Sequence, residues 1–422
     1  MLKVLIITYY WPPAGGSGVQ RWLKFVKYLQ DFDIVPVVYT VDNGNYVKED
    51  ASLLKEVPQN IEILKQPIWD PTNLLFWRKN KQQRQGVSNL SKGGLLSYIR
   101  GNFFIPDPKI AWVQPSVNYL QKYLDTNDID VIISSGPPHS MHLIAQKLHQ
   151  KNDVKWLADF RDPWTDLYYN KDFKQGSFAK NKSKKLEEGV LKNADCILTV
   201  SPTLQKEFSK IARRVELITN GFDTEISASE KVVLDINFSI SYIGLLPKQS
   251  NPIILFKVLK ELCDESSEFR KALQINFVGD ISEDVKAAIK ANNLEMNTSF
   301  LGYVSHQKAI TYQKCSQVLL LLIPDVVNNK GILTGKLFEY LAAKRPIIAI
   351  GPVHGDLATI LKETNAGAVF AFENPKKLKL EIKRLYDAYT EGTLFIAAKN
   401  IKKYHRKELT KNLASILKSL NS

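Results

Sequence analysis

The stretch that decides the fold is MLKVLIITYYWPPAGGSGVQRWLKFVKYLQ, residues 1–30. A short apolar run at residues 3–7 predicts a buried strand, and an amphipathic helix is predicted at residues 19–30. The loop between them contains Gly15, Gly16 and Gly18. A strand, a glycine-containing loop and a helix, in that order, are typical of the start of an α/β domain that binds a ligand at the helix N-terminus.

The same alternation continues along most of the chain. We predict strands at residues 34–39, 131–134, 155–160, 196–200, 215–218, 239–243, 274–278, 317–322 and 346–350. We predict further helices at residues 139–149, 180–192, 204–211, 252–262, 283–291, 333–343 and 356–363. Alternating strands and helices indicate parallel sheets covered by helices on both faces.

A turn signal at Asn220 and Gly221, followed by the polar residues 223–231, divides the chain. The predicted fold is α/β, with two Rossmann-like doubly wound domains that face each other across a cleft. The domains span residues 1–222 and 223–399, and residues 400–421 form one long basic helix that packs back onto the first domain. Ligands of such sheets bind at the carboxyl ends of the strands, so the loops there are the expected sites.

Composition supports two globular domains in a chain of 422 residues that is 44% hydrophobic and 24% charged. The three cysteines Cys196, Cys263 and Cys315 form no C-x-x-C pair and predict reduced packing residues in a reducing compartment. The opening apolar run is too short for a signal peptide, and no run approaches the ~20 apolar residues of a membrane span. We therefore expect a cytoplasmic protein that contacts the inner face of the cell membrane only peripherally.

The formal net charge of +14 predicts an anionic partner. Residues 71–106 contain no acidic residue, yet they combine basic and aromatic side chains in a way that suits lipid headgroups. RNA is an alternative partner, but no RNA-recognition motif is present, so we expect no nucleic acid. Simple solvation of the charges remains another explanation. The residues concerned are Arg78, Lys79, Lys81, Arg84, Lys92 and Arg100, with Phe76, Trp77, Tyr98, Phe103 and Phe104.

In the first half of the chain, three loops that directly follow predicted strands contain candidate site residues. Backbone N–H groups at Gly15 and Gly16 can approach a phosphate or a sugar oxygen, although a plain turn is the alternative. His139 stands at a strand end and a helix start, where it can donate a hydrogen bond to a substrate or merely cap the helix. In the next loop, Asp159 is explained equally well by an internal ion pair, and Asp162 is the better substrate contact.

The second half contains the most informative stretch, KGILTGKLFEYL at residues 330–341. A helix beginning at Thr334 or Gly335 can hold phosphate on its free N–H groups, and Lys336 adds positive charge. Glu339 can accept two hydrogen bonds from neighbouring ribose hydroxyls. Surface solvation is its alternative, but the residues around it are apolar, and a buried carboxylate needs partners.

One more pair follows the first strand of this half. Gly244 and Lys248 can face a diphosphate there. Taken alone, Lys248 is explained better as a solvated lysine.

Five motifs together suggest a family: residues 15–18 (GGSG), 136–140 (GPPHS), 159–164 (DFRDPW), 218–223 (ITNGFD) and 335–342 (GKLFEYLA). With them the chain resembles, over nearly its whole length, the retaining glycosyltransferases of family 4 with the GT-B fold. The resemblance implies a nucleotide-sugar donor, no metal and no cofactor. The two D-x-D look-alikes, at residues 31–33 and 128–130, precede strands and are interpreted as solvated turns.

The resemblance also implies residue roles. Glu339 binds the donor ribose. The diphosphate and the sugar of the donor contact Thr334, Gly335, Lys336 and Leu337. Gly16 approaches the donor phosphate, and His139 approaches the transferred sugar. We expect His139 and Asp162 to be the catalytic residues, with Arg161 and Trp164 on the acceptor side. The donor-binding set is Gly15, Gly16, Gly244, Lys248, Thr334, Gly335, Lys336, Leu337 and Glu339.

Two positions depart from the family pattern. Gly331 stands where a second glutamate is usual, and Leu245 stands where an arginine is usual. The expected reaction is retaining transfer of a sugar to a cell-surface polysaccharide or lipid-linked acceptor. A nucleotide-sugar epimerase or phosphorylase of the same fold, or a sugar-binding protein without turnover, is the alternative.

Overall fold

The computed structural model describes residues 1–46, 49–69, 95–165, 175–223 and 232–421, without the side chains of residues 17, 95–97 and 100. The chain forms two compact units. Unit 1 comprises Met1–Thr219 and Arg406–Ser422, and unit 2 comprises Asn220–His405.

Unit 1 contains one parallel sheet in the described residues, with the strand order β3-β2-β1-β4-β5-β6-β7. Strand β1 lies near the middle, with Leu5 opposite Val37 on one side and opposite Ile132 on the other. The strands are β1 (Leu2–Ile7), β2 (Ile34–Val41), β3 (Glu62–Gln66), β4 (Val131–Gly136), β5 (Lys155–Phe160), β6 (Cys196–Thr199) and β7 (Val215–Leu217).

Helices cover both faces of this sheet, and each face has its own buried cluster. One cluster contains Trp112 and Trp156, and the other contains Trp22, Phe25 and Leu29, which form the predicted apolar stripe of the first helix. The helices are α1 (Ser17–Leu29), α2 (Leu95–Phe103), α3 (Ile110–Leu124), α4 (Ser140–Lys151), α5 (Ser177–Asn193) and α6 (Pro202–Phe208).

Unit 2 repeats this architecture, and the strand order in its described part is β10-β9-β8-β11-β12-β13, all parallel. Its strands are β8 (Phe238–Ile243), β9 (Leu273–Val278), β10 (Thr298–Gly302), β11 (Val318–Leu322), β12 (Ile347–Ile350) and β13 (Gly367–Phe370). Its helices are α7 (Ile253–Glu265), α8 (Ser267–Ala272), α9 (Glu283–Ala291), α10 (His306–Cys315), α11 (Gly335–Ala343), α12 (Asp356–Thr364) and α13 (Pro375–Thr390). The predicted α/β class with two doubly wound sheets is confirmed.

The C-terminal segment corrects one prediction. The single helix expected at residues 400–421 is interrupted, because His405 is extended and separates a short 3-10 turn, Ile401–Tyr404, from helix α14 (Arg406–Asn421). Tyr404 is held in unit 2 by the N–H of Phe222, which donates to the Tyr404 carbonyl oxygen at 3.1 Å. In unit 1, Leu413 and Leu417 of α14 join the buried cluster of Trp22.

The observed division lies close to the predicted boundaries at residues 222 and 399 but differs from them. Phe222, Ile401 and Tyr404 are buried in the core of unit 2, so the residues around them belong to that unit. Short elements with little apolar periodicity were also missed, among them the edge strands β3, β10 and β13. Their side chains are mostly exposed or half-buried, which removes the pattern that sequence analysis uses.

Membrane contact is described only in part. None of the described helices is both long and apolar enough to span a bilayer. Most of the predicted basic and aromatic segment, namely Phe76, Trp77, Arg78, Lys79, Lys81, Arg84, Lys92 and the side chain of Arg100, lies outside the described residues. Of its aromatic side chains, Tyr98 and Phe103 are exposed.

Candidate functional site

The strand orders place a candidate site in each unit. In both sheets the first strand of the unit is central, and the chain adds strands first on one side and then on the other. The order therefore reverses between β1 and β4 in unit 1, and between β8 and β11 in unit 2. Open parallel sheets bind ligands at such a reversal, at the carboxyl ends of the strands.

In unit 1, the charged residue at the end of β5 is used internally. The Asp159 carboxylate accepts hydrogen bonds from Arg21 at 3.0 and 3.1 Å, from the Trp22 indole at 2.8 Å and from the Ser135 hydroxyl at 2.9 Å. The side chains of Arg21 and Asp159 are both 0% exposed. The internal ion pair considered for Asp159 is therefore present.

Arg161 connects the glycine loop to the loop that follows β4. Its guanidinium donates to the carbonyl oxygens of Gly136 at 3.1 Å, Gly18 at 2.8 Å and Pro137. A Cβ on Gly18 would lie 3.0 Å from Nη1 of Arg161, so a glycine lets the glycine loop approach this side chain. The geometry gives Arg161 a positioning role.

The glycine loop, which was predicted to approach a phosphate or sugar oxygen, has space beside Gly16. Gly16 has φ 92° and precedes α1, a conformation that glycine adopts readily. Among the described residues nothing lies within 4 Å of where its Cβ would be. The Cβ position of Gly15, in contrast, lies 3.4 Å from Asp50. Gly16 is therefore the better placed of the two for a close approach of ligand to backbone.

His139 is buried, at 5% exposure, and is the N-cap residue of α4, but its side chain makes no cap hydrogen bond. Its ring stacks on Trp164 with centroids 4.8 Å apart and planes 8° apart. Neither ring nitrogen has a hydrogen-bond partner within the described part of the chain. Burial, with His142 and Arg161 nearby, lowers the pKa of His139 well below its usual value, so the ring is neutral at physiological pH.

Trp164 and Asp162 differ in their surroundings. Trp164 is 2% exposed and donates its indole N–H to Ser183 at 3.0 Å, so it forms the wall behind His139. Asp162 is half-buried, and burial raises the pKa of its carboxyl to about 6, although Arg161 opposes this shift. A carboxyl that titrates near neutral pH can exchange protons with a substrate, which fits the predicted role of Asp162 as a substrate contact.

In unit 2, two glycines bring successive loops together. Gly244 directly follows β8 with φ 127°, and Gly279 directly follows β9 with φ 123°. A Cβ on Gly279 would lie 2.6 Å from the Gly244 carbonyl oxygen, and a Cβ on Gly244 would collide with the Lys336 side chain. Only glycine at residue 244 allows the lysine to lie against the end of the first strand.

Lys336 is held at the start of α11. Its Nζ donates to the Tyr242 hydroxyl at 2.9 Å and lies 4.7 Å from the centre of that ring. Tyr340, on the same helix, accepts a hydrogen bond from the Ile243 N–H at 3.0 Å. These contacts fix the helix N-terminus and its positive charge beside the end of β8.

Thr334 is the N-cap of α11, yet its side chain makes no cap hydrogen bond. Its buried hydroxyl has no partner among the residues that the structure describes. The first N–H groups of a helix also lack partners within the helix, and no acidic residue occupies this first turn. The N-terminus of α11 therefore has unused donors of the kind that bind phosphate.

Glu339 is half-buried and is oriented by Gln313, whose side-chain amide donates to Oε2 at 2.8 Å. That contact uses one carboxylate oxygen and leaves hydrogen-bonding capacity on the carboxylate, since ionised carboxylates accept about four bonds. Leu337, in contrast, is fully buried, and its N–H donates to the Thr334 carbonyl oxygen at 3.2 Å. Its side chain packs in the core and is therefore not available to contact a bound ligand.

The remaining predicted residue, Lys248, is exposed and pairs with Asp284 at 2.6 Å. Gly331, the position of the missing glutamate, ends a short 3-10 turn, Asn329–Gly331. No three His, Cys, Asp or Glu side chains of the described ranges group as metal ligands. Within the D-x-D look-alikes, Asp31 pairs with Lys407 at 2.7 Å, and Asp130 accepts the Lys3 N–H at 2.7 Å.

Several functional candidates were missed in the sequence. Asp107 caps α4 although it precedes Ser140 by 33 residues in the chain. Its carboxylate accepts hydrogen bonds from the N–H and the hydroxyl of Ser140, both at 2.9 Å. Tyr242 and Gln313 orient Lys336 and Glu339. These are contacts between residues far apart in the chain, and no local motif indicates them.

Comparison with known proteins agrees with this architecture. A model described as Glycosyltransferase Family 4 matches residues 78–226, and a model described as Glycosyl transferases group 1 matches residues 237–388. No curated protein sequence gives a significant match.

Three solved structures illustrate the likeness of fold. Sucrose-phosphate synthase from Thermosynechococcus elongatus is 14% identical, with coverage of 100% of this chain and 99% of its own and a TM-score of 0.64. Anabaena HepE in complex with UDP-glucose is 13% identical, with coverage of 100% and 97% and a TM-score of 0.58. The lipopolysaccharide outer core galactosyltransferase WaaB is 15% identical, with coverage of 99% of both chains and a TM-score of 0.59.

Two Rossmann-like units in one chain, with helix N-termini at the reversal points of their sheets, define the GT-B class of proteins. Within that class, the chain belongs to the family 4-like glycosyltransferases.

Proposed function

We propose that unit 2 binds a nucleoside-diphosphate sugar and that the chain transfers the sugar, with retention and without a metal ion, to a polysaccharide or lipid-linked acceptor. The observation that carries this proposal is the N-terminus of α11. There Lys336 lies against Gly244, and Glu339, held by Gln313, lies about one turn further along the helix.

The diphosphate is the ligand that this helix start fits best. The N-terminal end of a helix carries a partial positive charge, and its free N–H groups point outward. Lys336 adds a positive charge and donates to the Tyr242 hydroxyl at 2.9 Å, and the Thr334 hydroxyl is unpaired within the described ranges. Together these groups stabilise the negative charge that develops on a leaving diphosphate.

Glu339 suits the ribose. An ionised carboxylate that accepts from two neighbouring hydroxyls gives charge-assisted bonds, which are stronger than neutral ones. Gln313 already fixes the orientation of the carboxylate, so little freedom is lost when the ligand binds.

The transfer step follows from the groups that are left. The bond between the anomeric carbon and the donor phosphate oxygen breaks, and the bond to the acceptor oxygen forms on the same face. The acceptor proton passes to the leaving diphosphate. Asp159 is committed to Arg21, so the proposal uses no carboxylate nucleophile there. His139 contributes a neutral hydrogen bond to the sugar, and Asp162 a carboxyl that titrates near pH 6.

A membrane-bound acceptor fits the surface of unit 1. Phe103 of α2 and Phe178 of α5 are 72% and 78% exposed, and Asn102 accepts the Gly176 N–H at 2.7 Å, which brings the two helices together. Exposed lysines continue along α5, namely Lys180, Lys182, Lys184 and Lys185. Aromatic and basic side chains together favour an anionic lipid surface. Flotation with anionic vesicles tests this, since protein that stays unbound at physiological salt contradicts it.

The donor is tested by a thermal-shift screen with UDP, GDP, ADP and CMP sugars, followed by an assay for nucleotide release. A ligand that binds only the folded state raises the melting temperature. We expect one nucleoside-diphosphate sugar to do so, and its nucleotide to be released only when an acceptor is added. Binding without transfer would instead indicate a sugar-binding protein, and release to free phosphate would indicate a phosphorylase.

A further inference from the structure

Behind His139, three buried side chains form a chain of hydrogen bonds that the proposed reaction does not use. The Trp156 indole N–H donates to the Ser134 hydroxyl at 2.9 Å, and the Ser134 hydroxyl lies 2.8 Å from Nδ1 of His142. All three residues are 0% exposed. Such a chain restricts which nitrogen of His142 carries the proton.

The direction of the chain follows from its first member. An indole N–H only donates, so Ser134 accepts from Trp156 and has one proton of its own to give. Within the described residues, Nδ1 of His142 is the acceptor that the structure offers to this proton. Burial, with a contribution from Arg161, lowers the pKa of His142 to about 3, so the ring is neutral. Its single proton therefore lies on Nε2.

That proton has no hydrogen-bond partner among the described residues, and neither has either ring nitrogen of His139. A Cβ on Gly136 would lie 2.5 Å from Nε2 of His142 and 2.9 Å from Nδ1 of His139, so both nitrogens border the same small space. Two N–H groups directed into one space repel each other, whereas an N–H and a lone pair attract. The stacking of His139 on Trp164 prevents the ring from turning away.

We propose that the chain from Trp156 through Ser134 and His142 holds His139 as the tautomer with its proton on Nε2, so that His139 acts only as a hydrogen-bond donor through that atom. A donor suits a sugar hydroxyl oxygen or ring oxygen, and this part rests on the proposed function. Ser134 and His142 are then positioning residues, and Gly136 is required because any side chain would separate the two rings.

The tautomers are measured by long-range proton–nitrogen NMR on protein labelled at its six histidines, with His139→Asn and His142→Gln used for assignment. We expect both rings in the wild-type protein to show a protonated Nε2 and an unprotonated Nδ1. Ser134→Ala removes the donor to His142, and both rings should then show averaged shifts of mixed tautomers. Trp156→Phe removes the donor that fixes the direction of the Ser134 hydroxyl, so it should also shift both rings toward mixed tautomers.

A protonated Nδ1 on either ring of the wild-type protein overturns the proposal. So does a Ser134→Ala spectrum in which the His139 tautomer is unchanged, or a Trp156→Phe spectrum identical to that of the wild type. Because this measurement needs no substrate, it is independent of whether the chain transfers sugar.

Turnover provides the second measurement. Ser134→Ala should lower kcat about threefold to tenfold, the effect of losing the orientation of one hydrogen bond, with little change in KM. His142→Gln, which keeps an N–H near the position of Nε2, should retain more activity than His142→Asn, which does not. Equal losses in these two variants contradict the proposal, whereas a wild-type protein with the expected tautomers but no turnover contradicts only the proposed function.

Discussion

The strand ends of the two units use their polar side chains in opposite ways. In unit 1, Asp159 and Arg161 are bound to protein groups, and the ring nitrogens of a neutral His139 have no hydrogen-bond partner among the described residues. In unit 2, Lys336 and Glu339 are each held by one neutral partner and keep hydrogen-bonding capacity. A charge at a strand end is therefore not evidence of a ligand until its partners are known.

The largest effect is expected for a substitution in unit 1 that removes one partner of the buried ion pair. Asp159→Asn removes the charge that compensates Arg21 in a fully buried site. Breaking a buried ion pair by removing one partner costs about 3–5 kcal/mol, so the free energy of unfolding in urea should fall by that amount. Asp284→Asn, which breaks the exposed pair with Lys248, is the control and should cost about 0–1 kcal/mol. Similar losses in both variants would mean that Asp159 is not a structural residue.

The next effect concerns ligand affinity in unit 2. Glu339→Gln keeps the shape of the side chain but removes its charge, so donor affinity should fall by about 1.5–3 kcal/mol. The melting temperature without ligand should hardly change, because the carboxylate is half-buried and bonds to one neutral amide. Calorimetric titration with the donor checks the affinity, and a large loss of stability would assign Glu339 to the structure instead.

The contact between Gly244 and Lys336 is tested by Gly244→Ala. The backbone strain at φ 127° should lower stability by about 1–3 kcal/mol, and the new Cβ should displace Lys336 and weaken donor binding. Gly302→Ala is the matched control, since Gly302 has φ 64° and nothing described lies within 4 Å of its Cβ position. It should lose stability but keep donor affinity. Unchanged affinity in Gly244→Ala would separate Lys336 from the diphosphate.

The smallest effect is a dependence of stability on pH. The pKa of Asp162 is raised to about 6 in the folded protein, so between about pH 4 and 6 the folded state binds more protons than the unfolded state. This contribution stabilises the fold at low pH and is lost as the pH rises through 6. Asp162→Asn should therefore be similar to wild type at pH 4 and more stable at pH 8, by at most about 3 kcal/mol for a shift of about two pKa units and by less because the half-buried carboxyl is partly screened by solvent.

Denaturation at the two pH values checks this prediction. A stability difference that is the same at both would mean that the Asp162 carboxyl is not perturbed.

Sequence patterns predicted the two sheets because their central strands are buried on both faces. Strands such as β11 and β12 form continuous apolar runs, which are recognisable without any contact information. The edge strands and the interruption at His405 depend on half-buried side chains and on a backbone contact with Phe222, so local patterns do not reveal them.

The candidate sites were predictable to a similar degree. The start of α11 and the loop of His139 were recognised because glycines and a helix start occur together in the sequence. The partners that decide their chemistry were not, since Gln313 precedes Glu339 by 26 residues and Arg21 lies 138 residues before Asp159. The hydrogen-bond chain through Ser134 was not predictable, because it joins the neighbouring strands β4 and β5 to helix α4.

The central claim is that Glu339 binds the ribose of a nucleoside diphosphate in unit 2. The most direct test is a double-mutant cycle by calorimetric titration, with wild type and Glu339→Gln each measured against the preferred nucleoside diphosphate and its 2′,3′-dideoxy analogue. The account predicts that Glu339→Gln weakens binding of the normal nucleotide about tenfold or more but barely affects the dideoxy analogue, giving a coupling energy above about 1 kcal/mol. Equal losses for both nucleotides, or no loss for either, would contradict it.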